Sequence, residues 1–172
     1  MHLLGRFIGR IHVAGKGFPF EHRGKLSVEQ SHRNVDYLLD GGFIPADIEA
    51  AYRAVCKEIM EAVELRRPDD SSFQQLSLHG DCHRGNVLWR DDCPHFVDFD
   101  DAISGPAIQD LWMLLSGDTT QQQRQLLEII EGYEMFCEFD QAELRLIEPL
   151  RAMRVIPAAR QPRVKMQDPH CP

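Results

Sequence analysis

LHGDCHRGNVLWRDDCPHFVDFDDAISGPAIQDLW, running from Leu78 to Trp112, concentrates polar chemistry between short apolar runs. His79, Asp81, His83 and Asn86 fall within eight residues, and Asp98, Asp100 and Asp101 form a second cluster after Phe96 and Val97. Val87 to Trp89 and Phe96 to Phe99 read as strands, with the turn-like RDDCP between them. Such a hairpin beside a polar loop brings both clusters to one point. Asp81, Asn86 and Asp98 then suit magnesium-assisted phosphoryl transfer. Magnesium takes oxygen ligands and keeps waters, so one amide and one carboxylate suffice when phosphates supply the rest. A separate carboxylate can orient a hydroxyl and accept its proton. The bland alternative is a loop whose Asp and Asn residues cap turns.

Outward from this stretch the chain reads as helices. Leu4, Phe7, Ile8 and Ile11 recur at helical spacing, and Gly15 suits the helix end. Residues 17–45 carry scattered glycine and proline without a sustained period, and read as an irregular connection. Ala46 to Arg66 reads as a helix with the stripe Ile48, Tyr52, Val55, Ile59 and Val63, ended by RRPDDSS. Pro106 suits the first turn of a helix through Leu111 and Trp112. Thr120 to Cys137 and Gln141 to Val155 read as a helical pair, the second kinked at Pro149. From Pro157 onward PAARQPRVKMQDPHCP is punctuated by proline and holds no aromatic residue. The expected class is mainly α (α+β).

Composition narrows the function classes. With 43% apolar and 27% charged residues, the chain matches neither disordered nor collagen-like sequences. Nineteen basic against 27 acidic residues leave a net charge of -8, without the cationic excess of a general nucleic-acid binder. No apolar run nears the roughly 20 residues of a membrane span. The five cysteines are widely spaced with no C-x-x-C pair, and the start lacks a small-residue cleavage site. These features lead us to expect a cytoplasmic protein.

HGDCHRGNVLW, followed by FVDFDD and GPAIQDLW, resembles the catalytic core of the aminoglycoside phosphotransferase and choline kinase-like superfamily. The longer strings QDLWMLL and IEPLRAMR resemble its serine/threonine protein kinase members of bacterial stress responses. The resemblance spans about Leu4 to Arg154 and is dense from Leu78. It implies the helical carboxyl lobe of a protein kinase-like fold with a small catalytic hairpin. By that resemblance Asp81 matches the catalytic base, and Asn86 and Asp98 the magnesium-binding pair, with Asp98 also counted as catalytic. Asp110 and His79 match structural braces of the catalytic loop. The implied cofactors are Mg2+ and ATP. His79 and His83 also form an H-x-x-x-H pair of the kind that can ligate zinc, although no further His/Cys set at ligand spacing is evident. Cys82 reads as a buried apolar residue rather than a reactive thiol. Trp89 and Trp112 read as core.

A kinase of this type also uses a phosphate-covering loop and a strand lysine paired with a helix glutamate. Lys16 and Lys25, in GKGFPFEHRGK, have no strand alternation around them and make no P-loop. The expectation is therefore a carboxyl lobe at 1–156 without its amino lobe, as in a truncated product, with 157–172 a Pro-rich tail foreign to the family. Three readings stand. One is an ATP-dependent kinase acting on serine or threonine of proteins. Another is a kinase of a small alcohol such as an aminoglycoside or choline. The third is a non-enzymatic lobe remnant or binding module.

Overall fold

The computed structural model describes residues 1–66 and 73–156. Among the described residues there are six α-helices and two small antiparallel sheets. The helices are α1 (His2–Lys16), α2 (Val28–Asp40), α3 (Glu49–Arg66), α4 (Ile108–Trp112), α5 (Thr119–Tyr133) and α6 (Ile147–Val155). The strands are β1 (Leu76–Leu78), β2 (Val87–Arg90), β3 (Cys93–Phe96) and β4 (Ile103–Gly105). The architecture is mainly helical, as the sequence implies.

Local chemistry sets the helix starts. Ser27 caps α2, its Oγ accepting the Gln30 N–H at 3.1 Å. Asp118 and Gln121 form a capping box on α5, each side chain accepting the other's backbone N–H. Leu4 and Ile8 of α1 then pack with Ile129, Ile130 and Tyr133 of α5, and with Ile108, Leu111 and Leu114 around α4, in the main core. The α1–α5 approach is unusually close. A Cβ on Gly5 would stand 2.0 Å from the Ile129 carbonyl oxygen, and one on Gly132 would stand 2.0 Å from that of His2. A smaller cluster joins Val35 and Leu39 of α2 to Cys56 and Met60 of α3 and to Ile156.

Strand pairing positions the site. β1 pairs with β4, Leu78 opposite Ile103, while β2 pairs with β3, Val87 opposite Phe96. Residues 79–102 are thus an excursion that leaves one sheet, makes a hairpin and returns. Asp91 and Asp92 turn that hairpin with φ of 50° and 59°, the signs a tight two-residue turn needs.

Several expectations need correction. Residues 17–45 are not irregular throughout: Val28–Asp40 is α2. Its buried residues are Ser31, Val35 and Leu39, so one polar residue interrupts an already narrow stripe and masks the period. The following helix starts at Glu49 rather than Ala46, and it turns Cys56 and Met60 inward while Ile48 and Val55 stay exposed. The second hairpin strand is Cys93–Phe96, and Phe99 belongs to a 3-10 turn. Pro149 kinks nothing, because it lies in the first turn of α6, where its missing N–H is no loss. A 3-10 segment, Gln141–Leu146, leads into that helix. Trp89 is 58% exposed rather than core. Most of RRPDDSS and the expected tail at 157–172 lie outside the described residues.

Candidate active site

The loop after β1 is held from beneath. Asp110, in α4, accepts the backbone N–H of His79 at 2.8 Å and of Gly80 at 2.9 Å. His12 of α1 donates Nε2–H to Asp110 Oδ2 at 3.0 Å and accepts the Tyr133 hydroxyl at Nδ1 at 3.1 Å. His12 is 0% and Asp110 1% exposed. Burial pushes the Tyr133 hydroxyl far above its usual range, so it stays protonated and can donate. Three elements therefore converge on two peptide N–H groups just before Asp81. Gly80 has a φ of +84°, and a Cβ there would meet the Asp101 carbonyl oxygen at 2.1 Å.

His79 ties the two polar clusters together. Its Nε2–H donates to the Val97 carbonyl at 2.9 Å, its Nδ1 accepts the Asp81 N–H at 3.4 Å, and its ring lies 4.5 Å from that of Phe99. His83 does something different: its Nδ1 accepts the Gly85 N–H at 2.9 Å and caps the 3-10 turn Arg84–Asn86. The two histidines thus serve separate backbone segments, and among the described residues no group of three His, Cys, Asp or Glu is set to hold a metal.

Asn86 donates its amide to the Asp81 carbonyl at 2.9 Å and to Asp81 Oδ2 at 3.4 Å. Its backbone carbonyl accepts the Val97 N–H at 3.0 Å, which sets Asp98 one residue beyond that bond. Asp98 is left-handed, φ 63° and ψ 59°, a conformation aspartate tolerates better than most side chains. Asn86 thus touches Asp81 directly, and Asp98 follows the residue that bonds the Asn86 backbone at the open end of the hairpin. Asp100 and Asp101 continue the 3-10 turn, and Arg23 donates to the carbonyls of Asp100 and Ala102 at 2.9 and 3.1 Å. Residues 24–26 lie parallel to β4 through a Lys25–Ser104 bridge.

A cavity of about 580 Å³ opens beside Asp81, bounded by Lys25, Gln30, Asn34 and Arg154 among others. Arg154, from α6, bonds Asp81 Oδ1 through Nη2. Cys82 lies beneath the loop, fully buried. Burial, with the charges of Asp110 and Asp81, pushes its thiol well above the usual range and keeps it from acting as a thiolate. Sequence reading missed His12 and Arg154. His12 continues the Leu4–Ile8 spacing along a buried helix face, a signal for a satisfied polar group in the core. Arg154 closes the IEPLRAMR string, but nothing local ties it to Asp81, which lies 73 residues away.

Residues 2–147 match the family model described as "Phosphotransferase enzyme family". The chain is 50% identical over 157 residues to stress response kinase A of Shigella flexneri, covering 91% of this chain and 47% of that protein. It is 48% identical over 157 residues to stress response kinase A of Escherichia coli strain K12, with the same coverage. Over 158 residues it is 49% identical to the serine/threonine protein kinase RdoA of Salmonella typhimurium, again covering 91% of this chain and 47% of the relative. The chain spans about half the length of the curated relatives it matches. Among solved structures it is similar to amicoumacin kinase hAmiN in complex with AMP-PNP, Ca2+ and Ami. The TM-score there is 0.63 at 22% identity, over 90% of this chain and 48% of that one. It is also similar to AMP-bound spectinomycin phosphotransferase APH(9)-Ia, with a TM-score of 0.57 at 15% identity over 91% and 55%. At those identities the likeness is one of fold.

Proposed function

This chain belongs to the phosphotransferase enzyme family, and on that premise we propose that it carries the acceptor and metal sites of an ATP-dependent kinase. The proposed acceptors are serine and threonine hydroxyls of proteins in a bacterial stress response. The observation that carries this reading is the Asn86 amide set on Asp81, with Asp98 next to the Val97 N–H that bonds the Asn86 carbonyl, and Asp81 itself lining a cavity. Near-50% identity to stress response kinase A and RdoA supports a protein acceptor. Free Cys56, Cys82, Cys93 and Cys137 favour a reducing, cytoplasmic setting.

In this reading Asp81 orients the acceptor hydroxyl and takes its proton. Asp110 and His79 hold the peptide planes from which Asp81 projects. The amide oxygen of Asn86 and the carboxylate of Asp98 are the donors for magnesium. Hard oxygen ligands fit that cation, and the Asn86 nitrogen is already committed to Asp81. Magnesium, when bound, neutralises charge on the nucleotide phosphates. The second wall of the nucleotide site belongs, in this proposal, to the part of the relatives' length that this chain does not span. Residues 1–172 alone should therefore hold magnesium-ATP weakly and turn over little.

The cavity volume favours a second reading, because about 580 Å³ falls within the range of small-molecule sites. A small alcohol would then replace the protein acceptor. Phosphotransfer assays on serine/threonine protein substrates beside aminoglycosides and choline separate the two. The chain would be tested alone and joined to the amino lobe of a relative. In the joined protein Asp81→Ala should lower turnover at least about 100-fold with nucleotide affinity retained. Asp98→Ala should weaken magnesium-nucleotide binding and activity together. A near-wild-type rate in Asp81→Ala removes Asp81 from the role.

A further inference from the structure

Asp81 faces the cavity in company. Arg154 sets Nη2 on its Oδ1, while Oδ2 takes the Asn86 amide at 3.4 Å and lies 3.5 Å from His83 Nε2. Both carboxylate oxygens are thus engaged, and a hydroxyl that bonds Asp81 must share or displace one of these partners. Arg154 is the partner suited to moving. Its side chain is 45% exposed against 19% for Asp81, and its Nη1 rests 3.7 Å from Met113 Sδ, a weak acceptor. With its side chain partly in water, Arg154 can leave this pair at modest cost.

Phosphoryl transfer needs a cation at this place. The acceptor oxygen must lie about 3 Å from the base and about 3 to 3.5 Å from phosphorus. That brings the Asp81 carboxylate close to the phosphoryl oxygens, and like charges at such range repel. Asn86 and Asp98 are the donors proposed for the metal, while Arg154 reaches Asp81 from α6 and lines the cavity with it. Its planar fork of donors matches phosphoryl oxygens as well as a carboxylate.

Taking Asp81 as the base, as proposed above, we infer that Arg154 is a shared guanidinium. It pairs with Asp81 in this structure and passes to the oxygens of the transferring phosphoryl group when nucleotide is bound. In the step it serves, the acceptor oxygen bonds to the γ-phosphorus as the bond to the bridging oxygen breaks. ADP leaves with that electron pair, the hydroxyl proton goes to Asp81, and Arg154 keeps its own protons. Arg154 is a positioning residue for the base and a charge partner for the phosphoryl group.

The test uses residues 1–172 and needs no turnover. Inorganic phosphate is titrated into the wild type, Asp81→Asn, Arg154→Ala and the double variant, followed by calorimetry and by the backbone amide signals of Gly80 and Asp81. If the guanidinium is shared, Asp81→Asn frees it and tightens phosphate about fivefold or more. The double variant should lose that gain. Arg154→Lys keeps the charge without the fork and should retain part of the gain when combined with Asp81→Asn. It also carries the cycle if the alanine variant fails to fold. No tightening in Asp81→Asn, or equal tightening without Arg154, overturns the proposal. The base assignment fails separately, through retained turnover of Asp81→Asn in the protein joined to an amino lobe.

Discussion

Asp110 uses both carboxylate oxygens on the loop that carries Asp81: Oδ2 accepts the His79 N–H and the His12 imidazole, and Oδ1 accepts the Gly80 N–H. Asp110→Asn keeps the size but replaces one acceptor oxygen by an NH2 group. Whichever way that amide turns, a donor then faces a donor in a site without water contact. An unsatisfied buried donor costs about 1–3 kcal/mol, so the melting temperature should fall. The local sign is more telling. Amide hydrogen exchange at His79 and Gly80 should accelerate more than at Leu111 or Leu114, which pack in the same core. Unchanged exchange and stability would show that the loop holds its shape without the carboxylate. Cys82 beneath it should stay unreactive to thiol reagents in the folded chain, because it is buried and its thiol is held protonated.

At the scale of elements, the α1–α5 seam decides whether that brace can form. Tyr133 reaches His12 because α5 lies against the backbone of α1 at Gly5 and Gly132. Gly132→Ala would drive a methyl to 2.0 Å from the His2 carbonyl, and a backbone atom cannot swing aside as a side chain can. The helices must separate, at a cost of about 1–3 kcal/mol. Urea unfolding should register that loss, and the ring signals of His12 should change as Tyr133 withdraws. A variant of wild-type stability with unchanged His12 signals would mean that the seam is slack. The long, patterned helices α1, α3 and α5 were legible in the sequence because their apolar spacing repeats over several turns. β1 and β4 were not, since three residues carry no period and their partner strand lies over 20 residues away. α2 hid because its buried stripe includes Ser31. The loop residues Asp81, Asn86 and Asp98 stood out because unlike polar groups were crowded beside apolar strands. Arg154 and His12 act through partners that only the folded chain brings near.

For the molecule as a whole, one buried acid sets a pH dependence that ordinary ion pairs do not. Glu143, in the 3-10 segment before α6, is 2% exposed and accepts the Ile108 N–H at 2.9 Å, joining that segment to the start of α4. Burial pushes its carboxyl from the ordinary 4.5 to about 7. The backbone N–H bonds from Ile108 and Ala107 oppose the rise, and the Asp140 charge adds to it. The sign follows from proton counting. Between pH 4.5 and 7 the folded chain binds more protons at this site than the unfolded chain does, so stability falls as pH rises. The contribution is fully present below the unfolded value and is lost as pH rises through the folded one. A shift of this size corresponds to roughly 3 kcal/mol at most. Acidic groups in salt bridges act in the opposite direction, so total stability is a poor readout, and the difference between wild type and Glu143→Gln isolates what Glu143 contributes. Glutamine keeps an oxygen for the Ile108 N–H but cannot ionise. Relative to wild type its unfolding free energy should rise steadily from pH 5 to pH 8, measured by urea denaturation at fixed ionic strength. A pH-independent difference would mean that Glu143 has an ordinary acidity in the folded chain. The segment that carries it would then be open to water, and α4, which bears Asp110, would lose one of its buried anchors.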